Sequence, residues 1–272
     1  MKPSQLQQAG HIEHLLTVHR TDFFGIPVVD LPMADLVGQV EHHLLRREST
    51  HIVNLNPHHF LFVREDHEFG KICASGDIVF ADGIGIVFAS VLQKKGIRYR
   101  YTGLDVMVKL CTLSAEKNYS IFLFGGQNGI VQRCAAHLRQ LFPTLKIAGV
   151  LEPPNVRDID EFDNDEIVRL VNETHPDFLF VALGAPKQEK WIERYRSKLN
   201  VPVMMGVGGS FDILGGRFSR APRWMRALGF EWLHRLRMEP RRLAGRHLVG
   251  IPRFLVLVLR LKFRSKTNQL PQ

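Results

Sequence analysis

Acidic side chains are almost absent after Arg217. From there to the C-terminus the sequence holds only Glu231 and Glu239 against twelve Arg and two Lys, a net +12. The whole chain is +9, which leaves about −3 on residues 1–216. A mildly acidic body followed by a cationic, partly apolar segment implies work against a polyanionic surface, either a membrane leaflet or a nucleic acid. Cysteine is also scarce. Cys73, Cys111 and Cys134 are scattered and odd in number, which excludes a disulfide framework and a zinc-ligand spacing and makes a reducing cytoplasm the default. Long hydrophobic runs are missing. The longest, Leu248 to Leu261, is interrupted by Gly250, Pro252, Arg253 and Arg260 and falls short of the ~20 residues that span a bilayer. The polar N-terminus carries no stretch of signal-peptide character. No internal repeat, low-complexity segment or G-x-G-x-x-G fingerprint occurs, and the last of these absences disfavours a dinucleotide dehydrogenase.

What is present is alternation. Short apolar runs at His51–Leu55, Ile78–Phe80, Ser120–Phe124, Lys146–Val150, Phe178–Leu183 and Val201–Gly206 read as strands. They are separated by helical patterns near 57–67, 84–95, 103–118, 128–142, 160–174 and 187–199. This predicts an α/β fold, a Rossmann-like parallel sheet with flanking helices. Phe24–Val29 and a helix before residue 47 would add an edge element. The strand pattern stops after Gly216, and Pro222 and Pro240 then mark helix starts in an Arg-rich helical C-terminal appendage. The expected organisation is a polar tail (1–22), the α/β domain (23–216), a basic amphipathic membrane-associating appendage (217–264) and a disordered end (265–272).

Ligands of open parallel sheets bind beyond the carboxyl ends of the strands. Five of the six strands here run into small, polar or Gly-rich turns: Asn54-Leu55-Asn56-Pro57, Ala81-Asp82-Gly83, Gly125-Gly126, Gly184-Ala185-Pro186-Lys187-Gln188-Glu189 and Gly206-Val207-Gly208-Gly209-Ser210. Glycine permits close backbone approach, and helix N-termini offer N–H groups to phosphate. Taken singly, Asn56-Pro57 and Asp82 read equally as helix caps, and the Gly pairs as tight turns. Together they imply a phosphate-bearing ligand in one cleft. Asp158-Ile159-Asp160 and Asp163-Asn164-Asp165 imitate a carboxylate metal motif, but acids in a first helical turn are ordinary, and no metal ligand set is assigned. The pairs His42-His43 and His58-His59 lack a partner at metal spacing and read as surface or cleft residues.

In the tail, Arg242, Arg246, Arg253, Arg260 and Arg264 fall within about 40° on a helical wheel. Leu243, Ile251, Phe254, Leu255, Val258 and Leu261 take the opposite side. That is the pattern of a helix lying in a membrane interface, although packing of the apolar face on the body fits the same wheel. Pro252 leaves one kinked helix or two shorter ones open. Arg217, Arg220, Arg223 and Arg226 recur every three residues around Trp224 and could close over the cleft or meet lipid phosphates. A nucleic-acid partner is disfavoured because the tail has no helix-turn-helix, RNA-binding or zinc-module signature.

The ordered blocks FADGIGI (80–86), RYTGLD (100–105), FLFGGQNG (122–129), PDFLFVALGAPKQEKWI (176–192), GVGGSFDILGG (206–216) and RAPRWMRALGFEWLHRLRMEPRR (220–242) closely resemble the WecG/TagA/CpsF family, glycosyltransferase family 26, over about residues 24–246. The resemblance implies inverting, metal-independent and cofactor-free transfer of a sugar from a UDP-sugar to a polyprenyl-diphosphate-linked sugar. The transfer would occur on the inner face of the bacterial cell membrane, in the assembly of cell-surface polysaccharide or teichoic acid. It makes Asp82 the base. It places Asn54, Asn56, Gly83, Arg100, Asp105, Gly125, Gly126, Gly184, Gln188, Glu189, Gly208 and Gly209 in the substrate site. Asn54 stands where the family usually has threonine, which points to a different sugar. The appendage arginines Arg217, Arg220, Arg223, Arg226, Arg242, Arg246, Arg253 and Arg260 would meet phosphate or membrane. Self-association stays open. The rival readings are a non-catalytic nucleotide-sugar-binding scaffold and a nucleic-acid-binding protein.

Overall fold

A computed structural model describes residues 20–155 and 158–263. Eight strands form one sheet: β1 (Arg20–Phe23), β2 (Ile26–Val29), β3 (Thr50–Leu55), β4 (Ile78–Ala81), β5 (Ser120–Gly125), β6 (Lys146–Leu151), β7 (Phe178–Ala182) and β8 (Val203–Gly206). Their order is β1-β2-β4-β3-β8-β7-β5-β6, parallel throughout except for the β1–β2 hairpin. The six strands read from the sequence are all present. The edge element is a hairpin rather than one strand, because Phe24 and Gly25 take positive φ and turn the chain.

The central strands are buried along their whole length, as parallel strands covered on both faces must be, and alternate residues serve opposite layers. Phe178 and Phe180 of β7 and Met205 of β8 face one core. That core is covered by α1 (Met33–Leu45), α5 (Gly103–Lys117) and α6 (Ile130–Leu141). Leu179, Val181 and Met204 face the other side, under α7 (Asn164–Glu173) and α8 (Lys187–Tyr195), where Trp191 is fully buried. Val53, Leu55 and Val79 belong to a third cluster on that side, under α2 (Pro57–Glu65), α3 (His67–Ser75) and α4 (Ile84–Leu92). α3 was not expected. Asp66 ends α2 in extended conformation and then caps α3 by accepting from Phe69 N–H at 3.0 Å, so one helical pattern becomes two helices.

β3 and β8 are neighbours, yet the chain leaves them toward opposite faces. After β3 it enters α2, whose Phe60 and Leu61 belong to one cluster. After β8 it enters α9 (Ser210–Leu214), whose Phe211 belongs to the other. Adjacent strands that diverge in this way open a crevice beyond their carboxyl ends.

The appendage consists of α10 (Arg223–Ala227), α11 (Glu231–Met238), α12 (Pro240–Ala244), a π turn at 245–249 and α13 (Gly250–Phe263). α13 continues directly from the π turn and runs on through Pro252, whose missing N–H falls next to this widened turn. The apolar face read from the helical wheel is divided between the protein and solvent, with Leu255 exposed. Phe254 and Val258 are buried against the body, with the Phe254 ring edge-on to Phe60 at 5.8 Å, and Leu243 is buried at the crevice. The wheel could not distinguish a protein partner from a lipid one. Arg264 lies outside the described residues, as do the side chains of Arg242 and Arg246. No helix among the described residues is long and apolar enough to cross a membrane.

Candidate active site

The crevice is a cavity of about 350 Å³. It is lined by the turns after β3, β4, β7 and β8 and closed by the appendage. Asp82 and Asn54 form its polar centre because β3 and β4 pair in register, Leu55 opposite Ala81. The backbone N–H of Asp82 donates to the Leu55 carbonyl at 2.8 Å. The Asn54 amide donates to Asp82 Oδ2 at 2.9 Å, which fixes the carboxylate rotamer. The Asn54 Oδ1 atom is buried and makes no hydrogen bond. Behind them His59 Nδ1 donates to the Asn54 carbonyl at 2.6 Å, which places the proton on Nδ1 and directs the imidazole from below.

Several expected site residues have other occupations. Asn56 lines the cavity, but its Oδ1 caps α2 by accepting from His58 N–H at 3.0 Å and His59 N–H at 2.9 Å. Gln188 also lines it, as a clip. Its Oε1 accepts from Gly184 N–H (3.2 Å) and Gly208 N–H (3.0 Å), and its amide donates to the buried carboxylate of Glu189 (2.7 Å). It thereby holds the β7 and β8 turns together. Gly83, Gly184, Gly208 and Gly209 line the cavity as expected. The Arg235 guanidinium packs directly on Gly209, where a Cβ would lie 2.5 Å from it.

Gly125 and Gly126 do not line the cavity, which corrects the convergence of five turns to four. β5 lies outside β7 in the sheet. Gly125, at φ 119°, is required because a Cβ would sit 2.5 Å from the Ala182 carbonyl oxygen. Asp105 and Glu189 are likewise absent from the lining. Asp105 closes a capping box with Thr102 and pairs with Arg220. Burial pushes its carboxyl up, but the Arg220 and Thr102 hydrogen bonds outweigh this and hold it below the usual carboxylate range. The acids of 158–165 also have structural uses. Asp158 and Asp163 cap helical turns, Asp160 pairs with Arg194, and Asp165 pairs with Lys198.

The appendage supplies the cationic and apolar walls. Arg226 and Arg235 both line the cavity, and Arg235 also reaches the Gly209 carbonyl at 3.4 Å. The Arg226 Nε atom is buried without a hydrogen-bond partner. Arg100 lines the cavity from the body, but its Nη2 donates to the carbonyls of Arg226 (3.2 Å) and Ala227 (2.8 Å), tying α10 in place. Arg217 pairs with Asp212 and Arg253 with Glu65, and these two, like Arg220, Arg223 and Arg260, stay out of the cavity. Leu243, Ile251, Phe254 and Leu255 form an apolar wall. Sequence reasoning assigned no role to Arg235, Trp232, Glu231 or Thr102, which line the cavity together with His58 and His59, a pair read as surface or cleft residues. The first three sit inside the EWLHRL block already singled out.

The glycosyl transferase WecG/TagA/CpsF family matches residues 21–268. The chain belongs to this family. It is similar to the N-acetylglucosaminyldiphosphoundecaprenol N-acetyl-beta-D-mannosaminyltransferase of Bacillus subtilis (strain 168), 30% identical over 244 residues that cover 89% of this chain and 92% of that protein. The protein of the same description from Bacillus spizizenii is 30% identical over 233 residues, covering 85% and 88%. That of Staphylococcus aureus (strain MW2) is 26% identical over 257 residues, covering 94% and 98%. The chain is accordingly a glycosyltransferase, and the cavity around Asp82 is its candidate active site.

Proposed function

We propose that this enzyme transfers the sugar of a UDP-sugar to a sugar held on polyprenyl diphosphate, with Asp82 as general base. The observation that carries this reading is the Asp82 carboxylate, held by Asn54 in a cavity that Arg226 and Arg235 also line. The acceptor hydroxyl attacks the anomeric carbon while Asp82 takes its proton, and the carbon–oxygen bond to UDP breaks with inversion. Base help of this kind contributes about 10²–10⁴ in rate. The departing diphosphate gains negative charge, which the two guanidinium groups and the backbone N–H of Gly209 stabilise. Guanidinium groups here do the charge work that a divalent cation does elsewhere, in keeping with metal-independent transfer.

The relatives' names nominate N-acetylmannosamine as the sugar and N-acetylglucosaminyldiphosphoundecaprenol as the acceptor. Such an acceptor lives in a bilayer, so the Arg-rich appendage is assigned to docking on the anionic inner face of the cell membrane, with the chain peripheral to it. The test is transfer from a panel of UDP-sugars to lipid-linked N-acetylglucosamine, with and without EDTA, for wild type and Asp82→Asn. Product from one donor, indifferent to EDTA and reduced at least ~100-fold in the variant, is expected. A folded Asp82→Asn protein of near-full activity would sink the base assignment.

A further inference from the structure

Fourteen large hydrophobic residues are exposed among the described residues, and twelve of them lie on three stretches: α4, residues 224–233 and residues 248–259. The first of these belongs to the α/β body. On α4, Ile84, Phe88 and Val91 recur at helical spacing and are 41%, 52% and 60% exposed. Opposite them, Ile86 and Ala89 fill the core, so α4 is apolar on both its inner and its outer face. Scattered exposed hydrophobics need no explanation, but a concentration of this size on one region does.

The three stretches meet at the mouth of the cavity. Ile84 lines it, as do Ile251 and Leu255 of α13. Gly229, which joins α10 to α11, packs so closely on Ile84 that a Cβ would fall 2.7 Å from that side chain. Exposed cations flank the patch. Lys94 follows α4, Arg223 lies in α10 and Arg260 in α13.

We propose that the outer face of α4 inserts into an anionic lipid surface together with the appendage, so that the body itself, and not only its tail, grips the bilayer. This rests on the reading of the enzyme as one whose acceptor is held in a membrane. The consequence is geometric. Ile84 is two residues beyond Asp82, and at a rise of about 1.5 Å per residue Phe88 and Val91 lie ~6 and ~10 Å further along the helix. Insertion of this face fixes the depth of the base relative to the headgroups, where an acceptor diphosphate sits. An appendage acting alone would dock the chain without setting that depth.

The experiment is flotation of the full chain with phosphatidylglycerol–phosphatidylethanolamine vesicles. Wild type is compared with the double variant Phe88→Glu, Val91→Glu and with Leu141→Glu, an exposed leucine on α6 away from the cavity. The double variant should lose at least ten-fold in vesicle partition with an unchanged melting temperature. Leu141→Glu should float like wild type. Should the glutamates unfold the chain, Phe88→Ser with Val91→Ser gives the same comparison. Flotation of the double variant equal to wild type overturns the proposal. So does a change of oligomeric state by light scattering without a change in flotation, which would assign the face to a second copy of the chain. Sugar transfer to a short-chain, detergent-dispersed acceptor is measured in parallel and should be kept by the double variant. Absence of transfer by wild type with every donor, alongside α4-dependent flotation, would overturn the functional reading and leave the lipid face standing.

Discussion

Arg100 separates two accounts of how the active site is completed. The resemblance makes it a substrate contact, whereas the structure makes it a latch whose Nη2 donates to the carbonyls of Arg226 and Ala227. Its own loop is held from behind, because the buried carboxylate of Asp30 accepts from Arg98 N–H at 2.9 Å and Tyr99 N–H at 2.8 Å. A hydrogen bond from a charged donor is worth about 1.5–3 kcal/mol. One Nη2 serves both carbonyls, so Arg100→Ala should cost α10 about 2 kcal/mol of closure, or ~30-fold in its opening equilibrium.

That opening is local, since the sheet and its helices do not depend on it. The readout is hydrogen exchange at the amides of Arg226, Leu228, Gly229 and Phe230, all bonded within this short segment. They should exchange up to ~30-fold faster in the variant, while global melting changes little. Because Arg226 lines the cavity only when α10 is closed, the loss in kcat/KM is bounded by the same factor of roughly 30. Exchange at wild-type rates refutes the latch. A loss of activity far beyond that bound with unchanged exchange returns Arg100 to the substrate.

Other perturbations have equally definite outcomes. His51 is fully buried beside Glu193, Asp77 and Arg196, and burial lowers its pKa below the ordinary 6.5 despite the bond to Glu193. The unfolded chain therefore binds more protons below pH 6.5, and stability should fall as the pH drops through that window; a urea midpoint for His51→Gln that varies less between pH 7.5 and 5.5 checks it. Phe254→Ala should cost about 3–5 kcal/mol at the joint between α13 and α2, seen as new proteolysis within 240–263 and loss of transfer. Gly125→Ala should lower the melting temperature sharply while surviving folded protein binds UDP with unchanged affinity; normal stability with lost binding would restore the glycine pair to the site.

The strands were legible because fully buried parallel strands read as near-continuous apolar runs, and IVFA and FLFVA are such runs. The centre of the site was legible for a related reason. Residues just past strand ends are fixed by topology, so Asp82 and Asn54 had to share an edge once both strands were recognised. What could not be read was strand order. Gly125-Gly126 carries the same local signal as Gly208-Gly209, but β5 stands one strand too far from the crevice and packs its glycine on Ala182 instead. Side-chain occupancy was equally hidden. Asn56 and Gln188 have the chemistry of ligand contacts, and only the structure shows backbone N–H groups occupying their oxygens. Arg235 was hidden among many arginines, since nothing in its spacing separates a cavity wall from a solvated face.

The tail's charge, read from the sequence as one quantity, divides into three in the fold. Arg217, Arg220 and Arg253 are neutralised by Asp212, Asp105 and Glu65, and they fasten the appendage to the body. Arg226 and Arg235 turn inward to the cavity. Among the described side chains this leaves Arg223, Arg237, Arg241, Arg260 and Lys262 exposed, with no ion pair to any described acid. At about 1 kcal/mol per cation near an anionic leaflet, these five would supply roughly 5 kcal/mol of salt-sensitive attraction in the proposed docking, with Arg242, Arg246, Arg264 and Lys266 outside the described side chains. In the proposed docking that attraction is screened as salt rises, whereas apolar insertion is not. The exposed faces of α4, of residues 224–233 and of residues 248–259 are the parts of the described surface able to provide it.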